Sequence, residues 1–393
     1  MFYFNITTLF SGIGFAALVL LTPLFAAELN LSFTQTGIAI ASFALSMILF
    51  SPLWGSLSDR LGRRKIFLIA GSLLFAVSTF LLIYVHDFQT LILLRFLQGI
   101  GYAATPMLTA LFSDHFGSLS ARNFSFFSAA NSLGWGVGSL LAGALGDLFS
   151  VRAVFAIIPV FTLISVFLIH STLPDHPATH SKSATEEGVP KKLFYLFATI
   201  FTRQGMAMAL WSVFPIYLQS FVNNSLFMVG LISGSNMLFQ PAFMLLVGRF
   251  AEGREKLRLI FFGIIGTIIT FVVYASATQV WHMILGQAMI AFFWSFIFIG
   301  INVYLIEEVP QKSRGKAFGY FQAALTAATA IGPLLGGTLS DVVGIHKMIL
   351  IVSGLMVLSF PFLLRLQYLD RKTRRAPALL SAEPVAVDQH LQP

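Results

Sequence analysis

Long apolar runs, bounded by short polar breaks, fill this chain. A membrane-crossing helix needs about 20 mainly apolar residues, and about twelve runs meet that measure. They lie near 6–27, 34–57, 65–84, 89–112, 121–148 and 152–173, then near 193–221, 226–249, 258–278, 280–306, 314–340 and 346–368. Breakers separate them, among them Asn30-Leu31-Ser32, His86-Asp87, Phe116-Gly117-Ser118, Asn223-Asn224-Ser225 and Pro310-Gln311-Lys312-Ser313. Only helices or closed barrels satisfy their backbone in lipid, and these runs are too long and too uniformly apolar for barrel strands. The pattern predicts an all-α integral membrane protein with twelve transmembrane helices. The first run begins near Phe4 with no charged leader or small-residue cleavage site, so it reads as a retained span.

Composition agrees. The chain has 393 residues, 57% hydrophobic and only 10% charged, with a mean hydropathy of +0.84. A soluble domain averages about 25% charged residues. The net charge of +8 is no nucleic-acid signal, because the cations crowd into particular loops. With no cysteine, disulfides, thiolate metal sites and cysteine nucleophiles are excluded.

The cations also set an orientation. If the N-terminus is cytoplasmic, the loops on that side hold Arg60 to Lys65, Arg122, Lys182 to Lys192, Arg249 to Arg258 and Lys312 to Lys316. The opposite side holds only Arg152 and Lys347. Both termini are therefore expected in the cytoplasm. The expected organisation is a six-helix half over 1–173, a polar Pro-, Ser- and Thr-rich linker over 174–192, a second half over 193–368, and a disordered tail over 369–393. The halves repeat: Phe127, Gly138, Gly143 and Asp147 meet Phe321, Gly332, Gly337 and Asp341 at an offset of 194 residues. Pro23 and Pro215 occupy matching places in spans 1 and 7.

Gly55-Ser56-Leu57-Ser58-Asp59-Arg60-Leu61-Gly62-Arg63-Arg64-Lys65 lies between spans 2 and 3. Each residue type has a mechanical use there. Gly55 permits close helix approach, and Gly62 permits a tight turn. Asp59 can accept from free N–H groups at another helix's start. Arg60 and Arg63, with the neighbouring cations, hold the loop in the cytoplasm. The stretch resembles the signature loop of the major facilitator superfamily, G-x-L-x-D-R-x-G-R-R. Arg95-Phe96-Leu97-Gln98-Gly99-Ile100-Gly101-Tyr102-Ala103 resembles that family's span-4 motif, R-x-x-Q-G-x-G-x-A. Gly134 to Gly143 resembles the span-5 antiporter motif, G-x-x-x-G-P-x-x-G-G, with Ser139 in place of its proline and Ala142 in place of a glycine. The complete version, Gly332-Pro333-Leu334-Leu335-Gly336-Gly337, sits in span 11.

The resemblance covers nearly the whole chain outside linker and tail. It implies a secondary transporter that alternates access between two six-helix halves, close to the drug–proton antiporter branch. It further implies an outward-facing state latched by Asp59 with Gly55 and Arg63, and a role for Arg95 in proton coupling. No cofactor is implied beyond an ion gradient, expected to be protons. The expected partners are a small amphipathic substrate and lipid, with the protein a monomer in a bacterial or archaeal cytoplasmic membrane.

One feature pulls the other way. No carboxylate lies near the middle of any run, whereas drug antiporters of the family usually carry one. Glu28, ending span 1, is the remaining acidic candidate for coupling. Arg95 and Arg203 are cations within spans, where charge is costly and faces the bundle interior or water. The cavity candidates are these two with Gln98, Tyr102, Asn131, Trp211, Phe214, Asn236, Gln240, Gln287 and Trp294; Phe239 and Asn302 belong to the wider set. Two cations without an acid favour an organic-anion or metabolite carrier as the alternative to efflux. No His, Asp and Glu cluster with ligand spacing and no Walker-type loop is present, so neither metal chemistry, enzymatic catalysis nor ATP-driven transport is expected.

Overall fold

The computed structural model describes residues 1–116, 121–173, 188–251 and 255–380. The expected linker from 174 to 187, Glu252, and the tail beyond 380 lie outside these, as does the side chain of Arg122. The described residues are helical throughout, apart from short connections. In order come α1 (Phe2–Glu28), α2 (Phe33–Leu61), α3 (Arg64–Phe80), α4 (Phe88–Tyr102), α5 (Pro106–Phe116), α6 (Ala121–Leu148) and α7 (Val151–Thr172). There follow α8 (Leu193–Trp211), α9 (Phe214–Gln219), α10 (Leu226–Ala251), α11 (Lys256–Ala275), α12 (Val280–Glu308), α13 (Arg314–Val343), α14 (Ile345–Leu355) and α15 (Ser359–Leu380).

Local chemistry sets these boundaries. Ser32 caps α2 in a reciprocal pair with Gln35, which satisfies two otherwise orphan N–H groups. Asp87 and Ser150 cap α4 and α7 through their side chains. Gly62 ends α2 in the left-handed region, at φ 63°, which a side chain would strain. Expected span 4 is broken at Ala103-Ala104-Thr105, and Pro106 opens α5 because proline lacks the N–H a continuing helix needs. Span 7 is broken in the same way before Pro215, whereas Pro23 is accommodated inside an unbroken α1. The last helix runs through Arg371 to Leu380, past the point where the sequence suggests a tail. Lys, Arg, Ala and Leu there are good helix formers.

Eleven helical segments are long and apolar enough to cross a membrane, among the described residues. Helix α6 is also 28 residues long, but Asn131 and its run of glycines make it less apolar. Packing falls into two groups. Helix α1 packs on α6 and α7, α2 on α4, and α3 on α4 and α7. Helix α8 packs on α13 and α15, and α12 on α10 and α11. Extensive contacts of α2 with α13 and of α6 with α10 join the groups.

One end of the bundle carries Asp59, Arg63, Arg64, Lys65, Lys192, Lys256 and Arg314; we call it the basic end. The other carries Glu28, Asp87, Asp147 and Asp341 and is the acidic end. Glycines show how the seams between the groups vary along their length. At the acidic end, a Cβ on Gly37 would strike the Pro333 carbonyl, and one on Gly337 the Phe33 carbonyl. On the other seam, one on Gly143 would strike Leu226 and one on Gly230 would strike Ser139. Toward the basic end of α2, α10 and α13, Gly55, Gly248, Gly315 and Gly319 have nothing within 4 Å of a Cβ. Backbones therefore touch at the acidic end and diverge toward the basic end.

Candidate functional site

The divergence leaves a cavity of about 510 Å³ between the two groups of helices. Helices α1, α2, α4 and α6 supply one wall, and α8, α9, α10, α12 and α13 the other. Two prolines at matching places in the repeat, Pro23 within α1 and Pro215 in α9, both line the cavity. Aromatic rings form part of its apolar surface, beside aliphatic and methionine side chains. On the first wall Phe15 stacks on Tyr102 with centroids 4.0 Å apart, and Trp135 meets Phe15 edge-on at 5.0 Å. On the second, Trp211 meets Phe214 edge-on at 4.9 Å.

Each wall carries one buried cation. Arg95 of α4 donates from Nη1 to Gln98 Oε1 at 2.9 Å, and its guanidinium lies 4.6 Å over the Phe43 ring. Arg203 of α8 donates from Nη1 to Gln204 Oε1 at 2.7 Å and from Nη2 to Thr267 Oγ1 at 3.0 Å. It lies 4.8 Å over the Trp294 ring. No Asp or Glu is among the described lining residues.

Eight sequence candidates line this cavity: Arg95, Tyr102, Arg203, Trp211, Phe214, Asn236, Gln240 and Trp294. Gln98 does not; it is fully buried behind Arg95, bridging it to Thr79 Oγ1 at 3.1 Å. Asn131 points to Thr8 Oγ1 at 3.4 Å in the α1–α6 contact. Gln287 is fully buried in α12, away from the cavity. Phe239 is exposed and does not line the cavity, and Asn302 bonds its own helix at Phe298. Glu28 is exposed at the acidic end and does not line the cavity. Phe15, Phe43, Trp135, Met47 and Met237 were not singled out by sequence. With 42 phenylalanines in the chain, no single ring stands out.

The loop after α2 departs from its expected contact. Asp59 accepts from Arg64 Nη2 at 3.1 Å and Nε at 3.3 Å, not from another helix's start. Gly55 makes no close approach, and Arg60 and Arg63 are exposed. Lys65 Nζ instead closes the end of α7, donating to the His170 and Leu173 carbonyls at 2.7 and 2.8 Å. The grip of an acid on a helix start occurs at the acidic end, and it occurs twice. Asp341 accepts from Phe33 N at 2.9 Å and Thr34 N at 2.7 Å, at the start of α2. Asp147 accepts from Leu226 N at 2.7 Å and Phe227 N at 2.9 Å, at the start of α10, and from Ser225 Oγ at 2.8 Å. Carboxylates there complement the helix dipole and its orphan N–H groups. The repeat that pairs Asp147 with Asp341 in sequence was the available signal.

A bundle of apolar helices around a large cavity, sealed at one end and splayed at the other, defines a multi-pass membrane transporter. The chain belongs to the Major Facilitator Superfamily, whose pattern matches residues 4–210 and again 195–390. Among relatives, it is 26% identical over 358 residues to the quinolone resistance protein NorA of Staphylococcus aureus (strain COL), covering 86% of this chain and 89% of that one. It is 24% identical over 356 residues to the multi-drug resistance efflux pump PmrA of Streptococcus pneumoniae, covering 86% and 88%. Its fold resembles the nucleoside transporter NupG, with a TM-score of 0.78 at 16% identity over 93% of this chain and 98% of that one. It also resembles the human organic anion transporter MFSD10, with a TM-score of 0.66 at 15% identity over 92% and 98%.

Proposed function

We propose that this protein exports small amphipathic compounds across a bacterial cytoplasmic membrane by alternating access, driven by a proton gradient. In this reading twelve spans form two halves, 1–173 and 193–368, joined by a cytoplasmic linker over 174–192, with residues 369–393 as a cytoplasmic tail. Both termini are cytoplasmic, and one copy suffices. The carrying observation is the aromatic cavity between the two groups of helices, sealed by Asp147 and Asp341 at one end only. The positive-inside rule makes the basic end cytoplasmic, so the described arrangement is inward-facing. In the opposite arrangement Asp59 leaves Arg64 for the start of α13, and Gly55 permits the approach. The efflux names of the NorA and PmrA relatives favour export. Arg95 and Glu28 are the coupling candidates. The alternative, an organic-anion or metabolite carrier, shares this architecture and differs in what the cavity holds.

Proteoliposomes with an imposed pH gradient test the reading. Amphiphilic dye should accumulate on the expected side, collapse with an uncoupler, and stop in Asp59→Asn. Dye movement equal to that of empty liposomes under both gradient directions would overturn it.

A further inference from the structure

The two cavity cations are held alike and left incomplete alike. Arg95 and Arg203 are each 3% exposed. Each donates to a glutamine oxygen on its own helix and lies over an aromatic ring from a neighbouring helix. In each, Nε is buried and has no partner. A neutral amide oxygen and a ring face soften a buried charge but do not cancel it. A cation–π contact offsets only part of the cost of an arginine within a membrane span. Among the described lining residues there is no acid to balance the two charges. A guanidinium is a planar fork of donors that fits a carboxylate with two parallel bonds.

We infer that Arg95 and Arg203, one from each wall, are the anion-binding groups of the cavity, and that the cargo is an amphipathic carboxylate. Its acid group is taken by the guanidiniums, and its apolar body lies on Phe15, Trp211 and Phe214. This rests on the transport reading and names its substrate class. A cationic amphiphile, by contrast, meets two like charges with nothing to offset them. Zwitterions are admitted through their acid group.

The test uses the purified full chain in detergent and three fluorescent probes with one ring system: pyrenebutyric acid, its methyl ester and the matching trimethylammonium. The acid should bind roughly tenfold or more tighter than the ester, in keeping with charge-assisted bonds. Arg203→Gln and Arg95→Gln should each weaken the acid about tenfold while leaving the ester unchanged, and Arg203→Lys should restore part of the loss. Equal affinity of wild type for acid and ester, or tightest binding of the ammonium, would overturn the inference without any variant. Proteoliposomes separate the two claims. If only the ammonium is moved, the anion site falls and transport stands. If nothing moves while binding of the acid stays arginine-dependent, transport falls and the anion site stands.

Discussion

Asp341, at the end of α13, holds Thr34, at the start of α2, through a 2.7 Å bond from the Thr34 backbone N–H. The donor in this bond is backbone, and the Thr34 side chain adds a further bond to the same carboxylate, so the whole contact fails with the acid. Asp147→Asn and Asp341→Asn should each loosen the acidic end, and the double variant should do so most. Because the chain has no cysteine, Ser212→Cys in the cavity wall gives a single reporter. Its labelling by a membrane-impermeant maleimide from the acidic end should rise severalfold in the single variants.

Backbone proximity makes the second prediction. A Cβ on Gly37 would collide with Pro333, and one on Gly337 with Phe33. Gly37→Val and Gly337→Val should hold the acidic end apart, raise the same labelling and abolish transport. Gly55→Ala, where nothing lies within 4 Å, should not raise the labelling.

Gln98 supports Arg95 without touching the cavity. Gln98→Leu removes the oxygen that accepts from that guanidinium and should cost about 1.5–3 kcal/mol, read as a lower melting temperature in detergent. Gln98→Glu should keep the fold, neutralise Arg95 and erase the preference for the acid probe over its ester.

Lys192 lies at the start of α8 and bridges Glu308 at 2.5 Å and Asp370 at 2.6 Å. Burial opposes its charge, but the hydrogen bonds it donates to Asp370 and Glu308, with their negative charge, outweigh this and raise its pKa. The group is bound more tightly protonated when folded, so its stabilisation is complete below the free lysine pKa of about 10.4 and is lost as pH climbs through the raised value. Melting temperature should fall at alkaline pH above that point in wild type, and less steeply in Lys192→Gln. The variant should already be weaker at pH 7 by on the order of 1 kcal/mol, after allowing for solvent screening.

The spans were legible because lipid imposes length and apolarity on every crossing helix. The boundary at Asn30-Leu31-Ser32 was legible too, but the breaks before Pro106 and Pro215 fell inside runs read as continuous. Helix rotation was not legible. In a soluble bundle the buried stripe is the apolar one, but here the lipid-facing side is apolar too. Gln98 and Gln287 therefore could not be told from Asn236 and Gln240 by type alone: the first two pack inside a wall, and the last two face the cavity. The same ambiguity hid Phe15 and Trp135. Asp59 showed a different limit. Its motif pointed to the start of another helix, and the structure pairs it with Arg64, five residues along its own chain.

Asp147 reaching α10 and Asp341 reaching α2 are one contact made twice, in reciprocal directions. In a two-fold dimer, a patch on one subunit meets a second patch on its partner, and the reverse. Here both patches belong to one chain, yet the seam has the form of an isologous subunit interface. The proposed halves are thus held as two subunits would be, and the seam itself makes no demand on covalent continuity. Residues 1–173 and 188–393, produced together as separate chains, should find each other in the membrane and restore the cavity.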